Sequence, residues 1–317
     1  MPGWPAGTVS GSKPDRSGSL PDGSMLPTMT VRPARPEDKA AIAAFTTNTF
    51  AWGDYVADAF DAWMADPDGQ ILVAANDSDQ AIGMARVAML SSNEAWAQAA
   101  RVHPDHRRRG IGGRLTDAGE TWAAGRGALV MRLVTEDWNE PARMQVEKSG
   151  YRMVAKWAMA QRSVGSSVPT VPGNGGRRAP AEERLRPASV HEVEPAFLAW
   201  STGDLITAGH GLFPALDWMW RQMTLGDVAQ AARSRSLWDC PAGWLIGTIE
   251  EDMFRVSWIV TGPEDARRLL KAALDLADEQ GAERLRILFP QTDWLLRAVN
   301  RAGLELHPLL VYEKPVG

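Results

Sequence analysis

The chain has 317 residues, 44% of them hydrophobic, and a formal net charge of −5. It is long enough for about two domains, and it has no overall basic charge that would attract nucleic acid. No apolar run approaches the roughly 18 residues of a membrane-spanning helix, and the single cysteine, Cys240, excludes an internal disulfide framework and fits a reducing cytoplasm.

Two segments have compositions that do not support a folded core. Residues 1–28 are rich in Gly, Ser and Pro and lack the basic start and apolar run of a signal peptide, so we expect a disordered tail. Residues 163–183 have a similar composition and predict a linker. Two folded domains are therefore expected, a first block at 29–162 and a second block at 184–317.

Hydrophobic patterns predict ten elements in the first block. In chain order they are a strand at 30–32, helices at 37–47 and 55–65, strands at 70–75, 82–90 and 94–102, a helix at 111–124, a strand at 128–134, a helix at 141–149 and a strand at 151–159. This order predicts an α+β fold with one mostly antiparallel sheet and a strand–helix–strand unit at its centre.

The second block repeats the later part of that order. Its predicted elements are strands at 244–250 and 253–260, a helix at 264–280, a strand at 285–289, a helix at 292–301 and a strand at 304–313. Three short matches between the blocks have nearly the same offset of 154, 154 and 153 residues, and they begin at Arg32 and Arg186, at Gly127 and Gly281, and at Lys148 and Arg301. A shared offset indicates a duplicated domain.

The segment from Arg107 to Gly113 places three arginines and three glycines at the start of the predicted helix 111–124. Helix N-termini expose unpaired amides and partial positive charge, and glycine allows close approach of a phosphate. The segment is therefore a candidate pyrophosphate cradle. It contains neither the Gly-Lys-Ser loop nor GxGxxG, and the alternative is a surface loop with solvated arginines.

The run Val102-His-Pro-Asp-His-Arg107-Arg-Arg-Gly110-Ile-Gly112 resembles the fourth strand and pyrophosphate loop of the GNAT acetyltransferase superfamily, whose signature Arg107, Gly110 and Gly112 match. Asn139-Glu-Pro-Ala and Lys148-Ser-Gly-Tyr are similar to the family's last helix. The resemblance covers most of the first block and implies acetyl-CoA as cosubstrate, and together with the duplication it implies two tandem GNAT-like domains. The cofactor-binding residues that it implies are Ala100, Val102, Arg107, Arg108, Arg109, Gly110, Ile111, Gly112, Gly113 and Asn139.

In more detail, the resemblance implies that the Arg107–Gly113 amides hold the pyrophosphate. Backbone groups of Ala100 and Val102, on a strand splayed from 128–134, would hold the pantetheine and the acetyl carbonyl, and Asn139 would contact the far end of the pantetheine arm. The sequence departs from the family where a tyrosine usually protonates the leaving thiolate, because Val146 stands there. The general acid is therefore not identified.

The candidate general base is Glu94. Alternation along a strand would place Glu94, Trp96, Gln98 and Ala100 on one face, which would look toward the acceptor because Ala100 would meet the acetyl group. The alternative is that Glu94 is a solvated residue at the start of a strand.

Residues near the first two helices give two further hypotheses about the acceptor. Asp54, Asp58 and Asp61 would share a helical face that attracts a cationic amine, unless they form only a solvated acidic face. Trp52, Tyr55 and Trp63 would instead stack on an aromatic acceptor.

The second block is expected to be a degenerate domain that does not bind acetyl-CoA. At an offset of 154, Gly110 corresponds to Glu264 and Gly112 to Ala266. Glu264 and Asp265 would occupy the first helical turn and repel a pyrophosphate, and Pro263 removes an amide donor.

The predicted function is direct transfer of an acetyl group to an amine or hydroxyl of a small molecule, such as an antibiotic or secondary metabolite. The alternatives are a protein lysine acetyltransferase and a non-catalytic acyl-CoA-binding or scaffold protein, which Val146 favours. No metal, nucleic acid or membrane is expected as a partner, and the protein is expected to be a pseudo-dimeric monomer or a homodimer.

Overall fold

The computed structural model describes residues 29–50, 53–164 and 180–317. The predicted tail at 1–28 and residues 165–179 of the predicted linker lie outside the described residues. The described residues form two compact units. The first contains 29–50, 53–131 and Pro315–Gly317, and the second contains the described residues of Arg132–Lys314. These units reflect spatial contacts and not sequence repetition, so the domains at 29–162 and 184–317 stay a prediction.

The first unit has a four-stranded antiparallel sheet with the order β1-β2-β3-β4. Its elements are β1 (Thr30–Pro33), α1 (Asp38–Thr46), α2 (Val56–Met64), β2 (Gly69–Ala75), β3 (Ala81–Met89), β4 (Glu94–Val102) and α3 (Ile111–Ala124). Strand β5 (Val130–Glu136) follows, and its residues from Arg132 belong to the second unit.

Helices cover both faces of the first unit's sheet. On one face, Met84 packs in a core cluster with Ile42 of α1 and Phe60 of α2. On the other face, a Cβ atom at Gly83 would lie 2.9 Å from Cγ2 of Ile111, so glycine allows α3 to pack closely against β3. Burial of each large apolar side chain in such a core stabilises the fold by about 1.5–3 kcal/mol.

The second unit contains a longer mixed sheet with the order β5-β14-β6-β13-β12-β11-β10-β7. The remaining elements in chain order are α4 (Glu140–Lys148), β6 (Arg152–Ser163), β7 (Arg186–Pro187), α5 (Val193–Thr202), α6 (Asp204–Ala208), β8 (Leu212–Leu216), β9 (Met219–Gln222), α7 (Leu225–Arg233), β10 (Leu237–Cys240), β11 (Gly243–Glu250), β12 (Met253–Val260), α8 (Ala266–Glu279), β13 (Arg284–Pro290), α9 (Asp293–Arg301) and β14 (Glu305–Pro315).

In the second unit's sheet, β12 pairs parallel with β13. Strand β14 pairs antiparallel with β6, and β6 also pairs antiparallel with β13. Strands β8 and β9 form a separate hairpin. The α+β class and the mostly antiparallel sheets are therefore confirmed.

Most predicted elements agree with the structure within two residues at each end. Strand β5 begins at Val130 and not at residue 128, because the amide of Ala128 still donates to the carbonyl of Ala123 and closes the end of α3. Strand β6 continues to Ser163, four residues beyond its predicted end. The elements from β7 to β10 were not predicted.

Candidate active site

Strand β4 contains a β-bulge near its C-terminal end. Its pairing with β3 is regular up to Gln98 and resumes at Arg101, so Ala99 and Ala100 lie opposite a single residue of β3. Ala99 has a φ of 57°, a left-handed conformation that is uncommon for a residue with a Cβ atom. A bulge of this kind leaves part of the backbone outside the regular ladder.

The bulge changes which side chains share a face of β4. Glu94, Trp96 and Gln98 alternate regularly and share one face, as predicted. The prediction that Ala100 joins them is wrong, because the extra residue at the bulge moves Ala100 to the opposite face of the strand. Arg101 takes that place, and its position on this face was not predicted from the sequence.

The loop after β4 is built by local hydrogen bonds. The Nδ1 atom of His103 accepts from the amide of Asp105 and caps a short turn over Pro104–His106. Gly110 then adopts a φ of 78° and a ψ of 4° immediately before α3, a left-handed conformation in which a Cβ atom would cause strain. Apart from its two neighbours in the chain, no heavy atom of the described residues lies within 4 Å of the position where a Cβ atom of Gly110 would stand.

The N-terminus of α3 is free of competing groups. Among the described residues, the amides of 108–113 donate to no carbonyl or side chain, and the first turn of α3 contains no acidic residue. Unpaired amides at a helix N-terminus, together with the helix dipole, form a site that suits an anion. This geometry fits a pyrophosphate.

The three arginines of the loop surround this N-terminus. All three are exposed, and Arg107 donates from Nε to the carbonyl of Val102 at 3.3 Å. Arg108 has a φ of 63°. Within the described part of the chain, Arg108 and Arg109 have no carboxylate partner, so their charge is available to a bound anion.

Glu94 is not a solvated residue at the start of a strand. Its side chain is buried with 7% exposure, and the Ser91 hydroxyl donates to its Oε2 atom at 3.0 Å. The structure therefore has a buried carboxylate on the same face as Trp96 and Gln98, and a carboxylate is a group that can act as a general base.

Charged and aromatic side chains of the first unit surround that face. The Nε atom of Arg101 lies 2.6 Å from the carboxylate of Asp54, and its guanidinium lies over the rings of Phe50 and Tyr55 at 5.1 and 5.9 Å. Tyr55 packs edge-on against Trp63. Burial raises the pKa of the Tyr55 phenol, which keeps it protonated near neutral pH.

The predicted acidic face is divided in the structure. Asp54 precedes α2 and pairs with Arg101, and Asp61 pairs with Lys39 at 2.6 Å. Asp58 is exposed and has no ion pair among the described residues, so the three carboxylates do not act together. Trp52, which was proposed to stack on an aromatic acceptor, lies outside the described residues.

In the second unit, Asn139 is the N-cap of α4, where its Oδ1 atom accepts from the amide of Ala142 at 3.3 Å. The side-chain amide nitrogen is a separate group with two donor hydrogens. Val146 is half-buried on the same helix.

The corresponding loop of the second block differs in length and chemistry. It has five residues between β12 and α8, whereas eight residues separate β4 from α3. Its Gly262 carbonyl accepts from the amides of Asp265 and Ala266, and the Asp265 carboxylate pairs with Arg268 at 2.6 Å. Asp265 is the N-cap and Glu264 precedes it, so the prediction that both occupy the first turn is wrong.

Several tryptophans of the second unit form core and not a cleft. Trp157 and Trp220 pack edge-on with ring centroids 5.6 Å apart, and Trp200 and Trp258 lie at the same separation. All four are at most 2% exposed. Cys240 is also buried, and its burial raises the pKa of its thiol, which makes it a poor nucleophile.

No cluster of metal-ligating side chains occurs among the described residues. The same residues include no helix that is long and apolar enough to cross a membrane.

The comparisons with known proteins agree with this geometry. Residues 39–151 match the acetyltransferase (GNAT) family. A search of curated proteins gave no match. Among solved structures, a GCN5-related N-acetyltransferase from Sphaerobacter thermophilus is similar with a TM-score of 0.62 and 16% identity, covering 91% of this chain and 96% of that chain.

A tandem GNAT protein from the clavulanic acid biosynthesis pathway is similar with a TM-score of 0.54 and 14% identity, covering 92% of this chain and 99% of that chain. At these identities the likeness concerns the fold, and it extends over both blocks.

Proposed function

Since this chain belongs to the GNAT family of acetyltransferases through residues 39–151, and is therefore an acyltransferase, we propose that it transfers the acetyl group of acetyl-CoA directly to a small-molecule acceptor. The observation that carries the choice of cosubstrate is the N-terminus of α3, with its unpaired amides, exposed arginines and lack of acidic residues.

The residues proposed to hold acetyl-CoA are those that the sequence motif identified. Amides of 108–113 receive the pyrophosphate, with charge supplied by the loop arginines. Backbone groups of Ala100 and Val102 hold the pantetheine and the acetyl carbonyl, with the bulge at Ala99 freeing backbone there. Asn139 donates from its side-chain amide.

Glu94 is the proposed general base. It receives a proton from the acceptor amine, whose nitrogen attacks the thioester carbonyl carbon. A backbone amide near the bulge stabilises the oxyanion that develops on the carbonyl oxygen. The carbon–nitrogen bond then replaces the carbon–sulfur bond, and CoA leaves as a thiolate.

The half-buried Val146 supplies no proton to that thiolate. A free thiol has a pKa of about 8.5, so a thiolate is an acceptable leaving group in water. We propose that solvent protonates it and that no tyrosine is required on α4.

The second block is proposed to be silent toward acetyl-CoA. Three features of its loop support this. The loop is shorter, the amides of Asp265 and Ala266 already donate to the Gly262 carbonyl, and the Asp265 carboxylate would repel a bound anion.

The acceptor is proposed to be an amine or hydroxyl of a small molecule, and a protein lysine is the alternative. A cytoplasmic location and a monomeric or homodimeric state belong to the same proposal, which includes neither nucleic acid nor membrane as a partner.

The experiment measures thiol release from acetyl-CoA over panels of small amines, phenols and lysine peptides, with Gly110→Glu as the inactive control. A rate that depends on a small acceptor and collapses in the variant supports the proposal. Thiol release only with peptides favours the lysine alternative, and acetyl-CoA binding without any acceptor-dependent release favours a non-catalytic acyl-CoA-binding protein.

A further inference from the structure

The last strand of the chain lies between two strands of the first block. Within the second unit, β14 occupies the position between β5 and β6. Its pairing with β6 runs from Glu305 opposite Gln161 to Glu313 opposite Arg152. A strand of the second block therefore pairs with two strands of the first block, β5 and β6, which come after the loop and α3 in the chain.

Side chains of β14 also contact β5. The carboxylate of Glu313 lies 2.6 Å from Nε of Arg132, whose own side chain is 5% exposed. At the other end of β5, the carbonyl of Pro308 accepts from the amide of Asp137 at 3.3 Å. These contacts fix both ends of the segment that leads into α4.

Tyr312 extends the same attachment to α4. Its ring is buried with 1% exposure, and its hydroxyl donates to Oε1 of Glu147 at 2.8 Å. Burial and the neighbouring Glu147 raise the pKa of the Tyr312 phenol, so the hydroxyl keeps its proton and remains a donor. Hydrogen bonds to a charged acceptor are stronger than neutral ones.

We propose that the second block serves the first by supplying strand β14, in which Tyr312 is a positioning residue that holds helix α4 in place. The helix is capped at its N-terminus by Asn139, which the proposed function assigns to acetyl-CoA. That Tyr312 holds α4 does not depend on this assignment. Only the expected effect on acetyl-CoA binding rests on the proposed function.

The test is hydrogen exchange of the α4 amides in the full-length protein. In Tyr312→Phe, the ring stays and the hydroxyl's interactions with Glu147 and Arg143, both on α4, are lost, so we expect residues 140–148 to exchange about tenfold faster. Glu147→Ala should have the same effect, Glu147→Gln should restore most of the protection, and the double variant of Tyr312→Phe with Glu147→Ala should add little. Glu305→Gln, an exposed change at the other end of β14, is the control.

Exchange in α4 that does not change in Tyr312→Phe overturns the inference. An equal rise in α4 and α8 also overturns it, because Tyr312 would then stabilise the whole unit and not α4 in particular. Acetyl-CoA affinity is measured on the same samples. If the wild-type protein does not bind acetyl-CoA, the proposed function fails, while the exchange of α4 still decides whether Tyr312 positions the helix.

Discussion

The guanidinium of Arg101 and the carboxylate of Asp54 form an ion pair at 2.6 Å, although the two residues are 47 positions apart in the chain. The Asp54 side chain is 1% exposed and that of Arg101 is 15% exposed. The pair connects the bulged strand β4 to the segment before α2, on the face where the acceptor is proposed to bind.

Removing one partner of this pair is expected to destabilise the fold more than removing both. Arg101→Met leaves a buried, unpaired carboxylate and should lower the free energy of unfolding by about 3 kcal/mol. Adding Asp54→Asn to that variant should recover part of the loss. Urea unfolding of the wild type, both single variants and the double variant measures the coupling, and strictly additive losses would contradict it.

Glu94→Gln tests the proposed base. The variant keeps the shape of the side chain and its contact with Ser91, but it cannot accept a proton. We expect kcat to fall by about 10²–10⁴ while the dissociation constant for acetyl-CoA stays unchanged. A rate within twofold of wild type would show that another group or water removes the proton.

Arg109→Gln tests the electrostatic part of the cradle. Arg109 is exposed, and among the described residues it has no carboxylate partner. We expect weaker binding of acetyl-CoA and a smaller dependence of affinity on salt, because the loop then has one positive charge fewer whose attraction to the phosphates salt can screen. Arg297→Gln, an exposed change on α9, is the matched control, and equal effects of the two variants would contradict a specific role.

Asp38 gives a stability prediction that depends on pH. Burial alone would raise the pKa of its carboxyl, but bonds from the Arg32 guanidinium at 2.7 and 2.9 Å and from the Arg35 amide lower it below its usual value. Its contribution is therefore present above the unfolded pKa of about 3.9 and is lost as the pH falls through the lower folded value.

The matching variant is Asp38→Asn, which should lose about 2 kcal/mol of unfolding free energy at pH 7. Below about pH 4 the difference from wild type should shrink. Unfolding curves between pH 7 and pH 2 measure it, and a constant difference across that range would contradict the assignment.

Local patterns predicted much of this fold. The strands 94–102 and 253–260 and the helix 111–124 have the predicted bounds, because apolar periodicity and flanking Gly or Pro identify their ends. Helices α5 and α7, of ten and nine residues, were missed although helices of similar length were predicted elsewhere. Strands β7, β9 and β10 were missed because they have only two to four residues. Such short strands have too few alternating positions for a pattern to be recognised.

Contacts between segments that are far apart in the chain could not be predicted from a single sequence. The loop from Arg107 to Gly113 was identified because its residues are contiguous. The bulge at Ala99 has no Gly or Pro to indicate it, so Ala100 was placed on the wrong face. The pairing of Arg101 with Asp54 and the insertion of β14 between β5 and β6 depend on which distant segments meet, and no local periodicity records that.

The most direct test of the account is a calorimetric titration of the full-length protein with acetyl-CoA. We compare Gly110→Glu with Gly262→Glu, which places the same carboxylate in the corresponding loop of the second block. A Cβ atom at Gly262 would meet no described residue within 4 Å apart from its chain neighbours. The account predicts one site per chain, lost in Gly110→Glu and kept in Gly262→Glu. Two sites per chain, or a loss of binding in Gly262→Glu alone, would contradict it.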